Sequence, residues 1–127
     1  MVRLRLLLLA LAFLTGPSPS AQSPPPPLTL TLHPQIGYRP LTVTATVRVE
    51  PHYLNQGVCV VWESPVYSGA GCWQLEGQYA RRTHTYTIKD LPAFGDSTAY
   101  TVWAELITVR TRHVTLSQPV QVLNTPF

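Results

Sequence analysis

From Leu28 onward, apolar and polar residues alternate along the chain with a period of two. Leu28, Leu30 and Leu32 are separated by Thr29 and Thr31, and Leu41, Val43, Ala45, Val47 and Val49 alternate with Thr42, Thr44, Thr46, Arg48 and Glu50. Successive side chains of an extended strand point to opposite faces, so the pattern predicts strands with one dry face and one wet face. That is the signature of an antiparallel sheet packed on one side. Val58, Val60 and Trp62 form a third inward row, and Trp73 with Leu75 a short fourth. Residues 83–88, 98–108 and 114–123 read as the fifth, sixth and seventh strands. Pro119 cannot donate to a ladder, which marks the last of these as an edge strand or a bulged one. Turn chemistry fills the gaps at 33–40, 55–57, 68–71 and 90–96, and no segment carries apolar residues at helical spacing.

These elements predict an all-β domain over residues 28–123, a seven-stranded antiparallel immunoglobulin-like β-sandwich with a tail at 124–127. Trp62, Tyr86 and Tyr100 are expected in its structural core. Tyr100, near the start of the sixth strand, is placed to form a tyrosine corner, with its hydroxyl returned to a backbone group a few residues upstream.

The residues before the first strand have a different character. Arg3 and Arg5 precede an unbroken apolar run from Leu6 to Leu14, followed by Thr15, Gly16, Pro17 and small residues. A charged start, a short apolar stretch and a small-residue cut site predict a secretory signal peptide over 1–21, cleaved after Ser20 or Ala21. The run is about half of the ~20 residues that a membrane-spanning helix needs, so no membrane span is expected after cleavage. Residues 22–27 then form a proline-rich linker.

Cleavage alters the charge balance. The whole chain has nine Lys plus Arg against six Asp plus Glu, a formal +3. Arg3 and Arg5 leave with the signal, which takes the count to seven against six, or +1. Nucleic-acid binding needs a clustered basic face, and none is present beyond Arg81-Arg82.

The chain has two cysteines, Cys59 and Cys72. In an exported protein such a pair becomes a disulfide. Alternation turns Cys59 away from Val58 and Val60, and Cys72 away from Trp73. The two are therefore expected opposite each other on the less buried face of one hairpin. The spacing matches no zinc motif, and the four histidines are scattered, so no metal or cofactor is expected. No G-x-S-x-G or H-E-x-x-H motif is present, and no catalytic residues are assigned.

For recognition, residues 64–78 form the chemically most distinctive loop. Tyr67, Trp73, Tyr79, Arg81 and Arg82 are candidates for a contact patch on or beside it. Trp103 shares a strand face with Thr101 and Glu105. It is either an exposed aromatic available to a partner or a ring covered by the stem of Arg48 or Arg112.

The run HPQIGYRPLTVTATV from His33 to Val47, followed by Trp62, His84-Thr85-Tyr86 and Tyr100-Thr101-Val102, resembles the PKD (polycystic kidney disease) domain. The resemblance covers about Leu28 to Leu123. It departs where the family carries an acidic turn, which is here Trp62-Glu63-Ser64-Pro65, so no role of that turn is carried over. Residues 85–106 are similar to fibronectin type III domains as a second choice. Both resemblances imply adhesion, recognition or spacing outside the cytoplasm, and neither implies catalysis.

The expectation is therefore a secreted, non-enzymatic binding or assembly module of a cell-surface or virion structure, monomeric, with a protein or glycan partner. Alternatives are a carbohydrate-binding module, which needs a row of exposed aromatics on one sheet face, and a periplasmic inhibitor or chaperone-like partner.

Overall fold

The computed structural model describes residues 26–125. The signal peptide expected over 1–21, the linker up to residue 25 and the last two residues of the tail lie outside the described residues. Within them are nine strands: β1 (Leu28–His33), β2 (Ile36–Tyr38), β3 (Leu41–Val49), β4 (Asn55–Glu63), β5 (Ser68–Gln74), β6 (Thr83–Leu91), β7 (Ser97–Thr108), β8 (Arg112–Val114) and β9 (Gln118–Leu123). A 3₁₀ turn, Gly77–Tyr79, lies between β5 and β6. No helix among the described residues is long and apolar enough to cross a membrane.

The strands form two sheets, one ordered β1-β3-β6 and the other β2-β9-β7-β4-β5, with β8 also paired to β7. All pairings are antiparallel except β2 with β9. The two sheets bury their apolar rows against each other, which makes the domain an all-β sandwich. Val43, Ala45 and Val47 of β3 are fully buried, as are Val58 and Val60 of β4 and Val102 and Ala104 of β7. Each of these valine side chains removed from water contributes about 1.5–3 kcal/mol before entropy is counted, and the alanines less. The intervening residues of β3 and β7 form the outer faces, as alternation requires.

The strand count is nine, where alternation predicts seven. β2 and β8 hold three residues each, too few to show a period, and both are defined by their neighbours: β2 by parallel pairing to Gln121–Leu123, β8 by pairing to Glu105–Ile107. The predicted seventh strand is broken into β8 and β9. At the break Thr115 still bonds Ala104 twice, through its amide (3.0 Å) and as acceptor through Oγ1 (2.9 Å). Pro119 sits in regular register opposite Thr101, so there is no bulge at that position. β2 covers β9 only from residue 121 onward, which leaves Pro119 at a local edge where no N–H is needed.

β6 runs three residues past its predicted end. The register shifts between Leu41 and Val43, opposite Leu91 and Ile88, and Asp90 absorbs the extra residue at φ 56°. Aspartate tolerates this left-handed conformation better than most residues. β5 is also longer than predicted, because its first half, Ser68-Gly69-Ala70-Gly71, reads as a turn. The two glycines are extended and serve packing. A Cβ on Gly69 would lie 2.5 Å from the Trp62 ring, and one on Gly71 would collide with the Tyr86 ring.

Candidate functional site

Three connections meet at one end of the sandwich: Glu50–Leu54 between β3 and β4, Leu75–Arg82 between β5 and β6, and Val109–Thr111 between β7 and β8. Backbone bonds tie them to the strands and to each other. The Val109 amide donates to Leu54 O (3.0 Å), the Val49 amide to Arg82 O (2.7 Å), and Glu50 to Pro27 O (3.1 Å). Within the first connection the buried Asn55 holds the turn closed, its side chain donating to Glu50 O (2.9 Å) and its amide to His52 O (3.0 Å). His52 Nδ1 accepts from the Leu54 amide (3.1 Å), and its ring stacks on Tyr53 at 4.7 Å. In the second connection Gly77 takes φ +60° beside the Tyr53 backbone, where a side chain would be strained.

This scaffold displays Tyr79, 81 % exposed, and Tyr53, 67 % exposed, together with Arg81, Arg82 and Arg110. Among the described residues none of these three arginines lies within 4 Å of a carboxylate, whereas Arg112 pairs with Glu105 at 3.7 Å. Between the first and third connections lies a cleft of about 280 Å³ lined by Glu50, His52, Leu54, Arg110, Thr111 and His113. Charge divides unevenly along the long axis. Arg48, Arg81, Arg82, Arg110 and Arg112 face three acids, Glu50, Glu76 and Glu105, in this half, a balance of +2. The other half has Arg39 and Lys89 against Glu63, Asp90 and Asp96, a balance of −1.

The six predicted contact residues do not form one patch. Tyr79, Arg81 and Arg82 belong to the loop end just described. Tyr67 lies at the opposite end, in the β4–β5 turn that Ser64 closes by accepting from the Tyr67 amide (3.0 Å) and donating to its carbonyl (2.9 Å). Its ring lies 6.5 Å from Phe94 and meets Tyr100 edge-on at 6.3 Å. Trp73 belongs to the inner layer. It stacks on Tyr86 at 5.9 Å, lies 5.7 Å from His84 and packs against the core. Trp103 is half-buried on the outer face of the larger sheet and donates to Glu105 Oε1 (3.3 Å), the carboxylate that Arg112 holds. β5 separates the two loop ends by seven residues, about 20 Å at strand rise, and this distance divides the patch.

Among the expected core aromatics, Tyr100 is buried and its hydroxyl donates to Pro92 O at 2.6 Å, the geometry of a tyrosine corner. Burial raises its pKa above the ordinary phenol value, Tyr67 raises it further, and the Ser64 side chain lowers it. Trp62 and Tyr86 are partly buried and pack against the core from its β5–β6 side, 6.0 Å apart. Cys59 and Cys72 are bonded, directly opposite each other in the β4–β5 register with Cα atoms 4.1 Å apart. Among the described residues no three His, Cys, Asp or Glu side chains are grouped to hold a metal ion.

The predicted contact patch does not include Tyr53, His52 or Arg110. A signal was present: PHYLNQG and RTR are short exposed connections carrying aromatic and cationic residues. Nothing in a linear pattern shows that they converge with residues 77–82.

No family model matches the chain, and no curated protein matches its sequence. Among solved structures, one described as "Myokine structure" is similar with a TM-score of 0.44 and 18 % identity, covering 83 % of this chain and 100 % of that one.

Proposed function

We propose that the chain is a secreted, non-catalytic binding module of a cell-surface or virion structure, with an immunoglobulin-like topology close to the PKD type. It makes its protein contact through the loop end formed by residues 50–54, 75–82 and 109–111. The observation that carries this reading is the display of Tyr53, Tyr79, Arg81, Arg82 and Arg110 on connections fixed by backbone bonds, with the last three unpaired among the described residues. Tyrosine and arginine are the residues that most often dominate interface energies. Unpaired arginines lose less on meeting an acidic partner than arginines that must first leave an ion pair, and a rigid scaffold reduces the ordering cost of binding. Export is supported by the signal-like first 21 residues, and a disulfide is compatible with an extracytoplasmic location.

The carbohydrate-binding alternative needs a row of aromatics along one sheet face. Among the described residues the exposed aromatics Tyr38, Tyr53, Tyr67, Tyr79 and Phe94 lie on β2 and on the connections instead.

The test is capture from the native envelope by the mature chain and by a Tyr79→Ala/Arg81→Ala/Arg82→Ala variant. The expected result is a defined protein partner whose capture weakens with salt and falls at least about tenfold in the variant, the loss of one modest hot spot. Equal capture by a folded variant would place the contact elsewhere.

A further inference from the structure

A sandwich with open sheets exposes edge strands whose unpaired N–H and C=O groups can recruit another strand, and folded proteins blunt such edges. Most edges of this domain are blunted. Gln118 Nε2 caps the β1 edge by donating to Leu30 O (2.6 Å). The β6 edge carries Lys89 and the left-handed Asp90 at its bulge. β2 and β8 are only three residues long, and Gln35 Nε2 covers Pro119 O beside β2 (3.2 Å).

β5 has none of these devices. It runs for seven residues, SGAGCWQ, in unbroken register with β4, without proline, charge or bulge. Among the described residues no side chain bonds its free side. Its parity is fixed by two observations. The 4.1 Å Cα separation of Cys59 and Cys72 is that of a non-hydrogen-bonded antiparallel pair, and the Leu75 amide bonds Gln56 O at 2.9 Å. Ser68, Ala70, Cys72 and Gln74 therefore turn both backbone groups away from β4, and all four are exposed.

We propose that this edge pairs with the same edge of a second copy, antiparallel about a two-fold axis at Gly71, so that the two larger sheets become one. Ser68 then faces Gln74 of the second copy, and Ala70 faces its Cys72. Four such pairs exchange two bonds each, about eight in all. The segment is self-complementary, as a two-fold contact requires, because its outward residues are small or uncharged and no like charges meet. The antiparallel arrangement also sets the +2 half of each copy beside the −1 half of the other. The disulfide locks β5 to β4, so pairing orders little that is not already ordered. The expectation of a monomer is replaced by a dimer, and this holds whether or not the loop end recognises a partner.

The test combines sedimentation of the mature chain over a range of concentrations with hydrogen exchange. Ala70→Pro removes an outward N–H without touching the bonds to β4, and Ala70→Lys serves as the second variant. The expected result is a species of twice the monomer mass whose Cys72 and Gln74 amides exchange severalfold more slowly at high concentration than at low. Both variants should sediment as folded monomers with the disulfide intact. A wild-type chain that stays monomeric overturns the proposal, as do open-ended aggregates and a dimer that leaves these amides unprotected or survives both substitutions. Protection independent of concentration also overturns it, by assigning the edge to another segment of the same chain.

Discussion

Replacing both bridge cysteines, as Cys59→Ala/Cys72→Ala, is expected to destabilise the domain by about 3 kcal/mol, with the loss concentrated first on one strand. The bridge joins residues thirteen apart. In the chain-entropy description a closed loop of about that length restricts the unfolded chain by about 10 cal/mol/K, which is about 3 kcal/mol at room temperature. Packing adds little to this figure. Cys59 is 8 % exposed, but Cys72 is exposed, so only one sulfur is removed from a dry position. The local effect follows from topology. Among the described residues β5 is bonded to β4 alone, whereas β4 also has β7 and each inner strand has two neighbours. Without the bridge, β5 can leave β4 at a cost below that of global unfolding.

Denaturant titrations of the oxidised wild type and the variant give the global figure. Amide exchange gives the local one, with Gly69, Gly71 and Trp73, whose N–H groups face β4, losing protection before the residues of β3 and β7. A variant within about 0.5 kcal/mol of wild type would refute the entropic argument, since the unfolded hairpin would then already be restricted without the bridge. A uniform loss of protection across all strands would refute the local one.

Tyr100→Phe should cost about 0.5–1.5 kcal/mol in the same titration, the net worth of the bond to Pro92 O, and more if that carbonyl is left dry. Because burial, then Tyr67, raises the Tyr100 pKa, its contribution is fully present below the unfolded value of about 10 and is lost as pH rises through the higher folded value. Alkaline destabilisation should therefore be smaller in Tyr100→Phe than in wild type, and equal alkaline slopes would exclude Tyr100 as the source. Gly71→Val puts a branched side chain where the Tyr86 ring lies and should separate Tyr86 from Trp73. The expected cost is about 1–3 kcal/mol, the usual range for overpacking, with loss of near-ultraviolet dichroism from the stacked pair; an unchanged spectrum would show that the ring is not held there.

Alternation made the long strands legible because one face of each is buried against the other sheet, as in β3, where five inward residues are buried and the intervening ones face outward. The same parity set Cys59 opposite Cys72, since one residue of slip would have turned one of them inward. Three features were not legible, each for a physical reason. β2 and β8 exist through their partners' backbone groups and have no period of their own. Gly69 and Gly71 read as a turn because glycine usually marks one, whereas here their missing side chains admit the Trp62 and Tyr86 rings. The loop end is assembled from residues up to about sixty positions apart, and only the sheet order brings them together.

The misreading of β5 and the division of the contact patch have one cause. A segment rich in glycine looks like a flexible recognition loop, and aromatic residues beside it look like its binding surface. In the folded chain the segment is a strand whose glycines admit the Trp62 and Tyr86 rings, and Trp73, one of the predicted contact residues, packs inward at the β5–β6 margin beside Trp62, an expected core residue. With the Trp73 ring turned inward, β5 shows outside it its backbone, the Cys72 half of the bridge and the uncharged side chains of Ser68, Ala70 and Gln74. What the segment offers a partner is therefore a ladder of peptide groups rather than a set of side chains. In the proposed function, side-chain recognition falls to Tyr53, Tyr79, Arg81, Arg82 and Arg110 at the loop end. The two surfaces use different chemistry, so substitutions in one should leave the other's contacts intact. Ionic strength separates them as well, because screening weakens the exposed arginine contacts, whereas at the proposed edge it weakens only the charge complementarity of the two halves and leaves the peptide hydrogen bonds nearly unchanged.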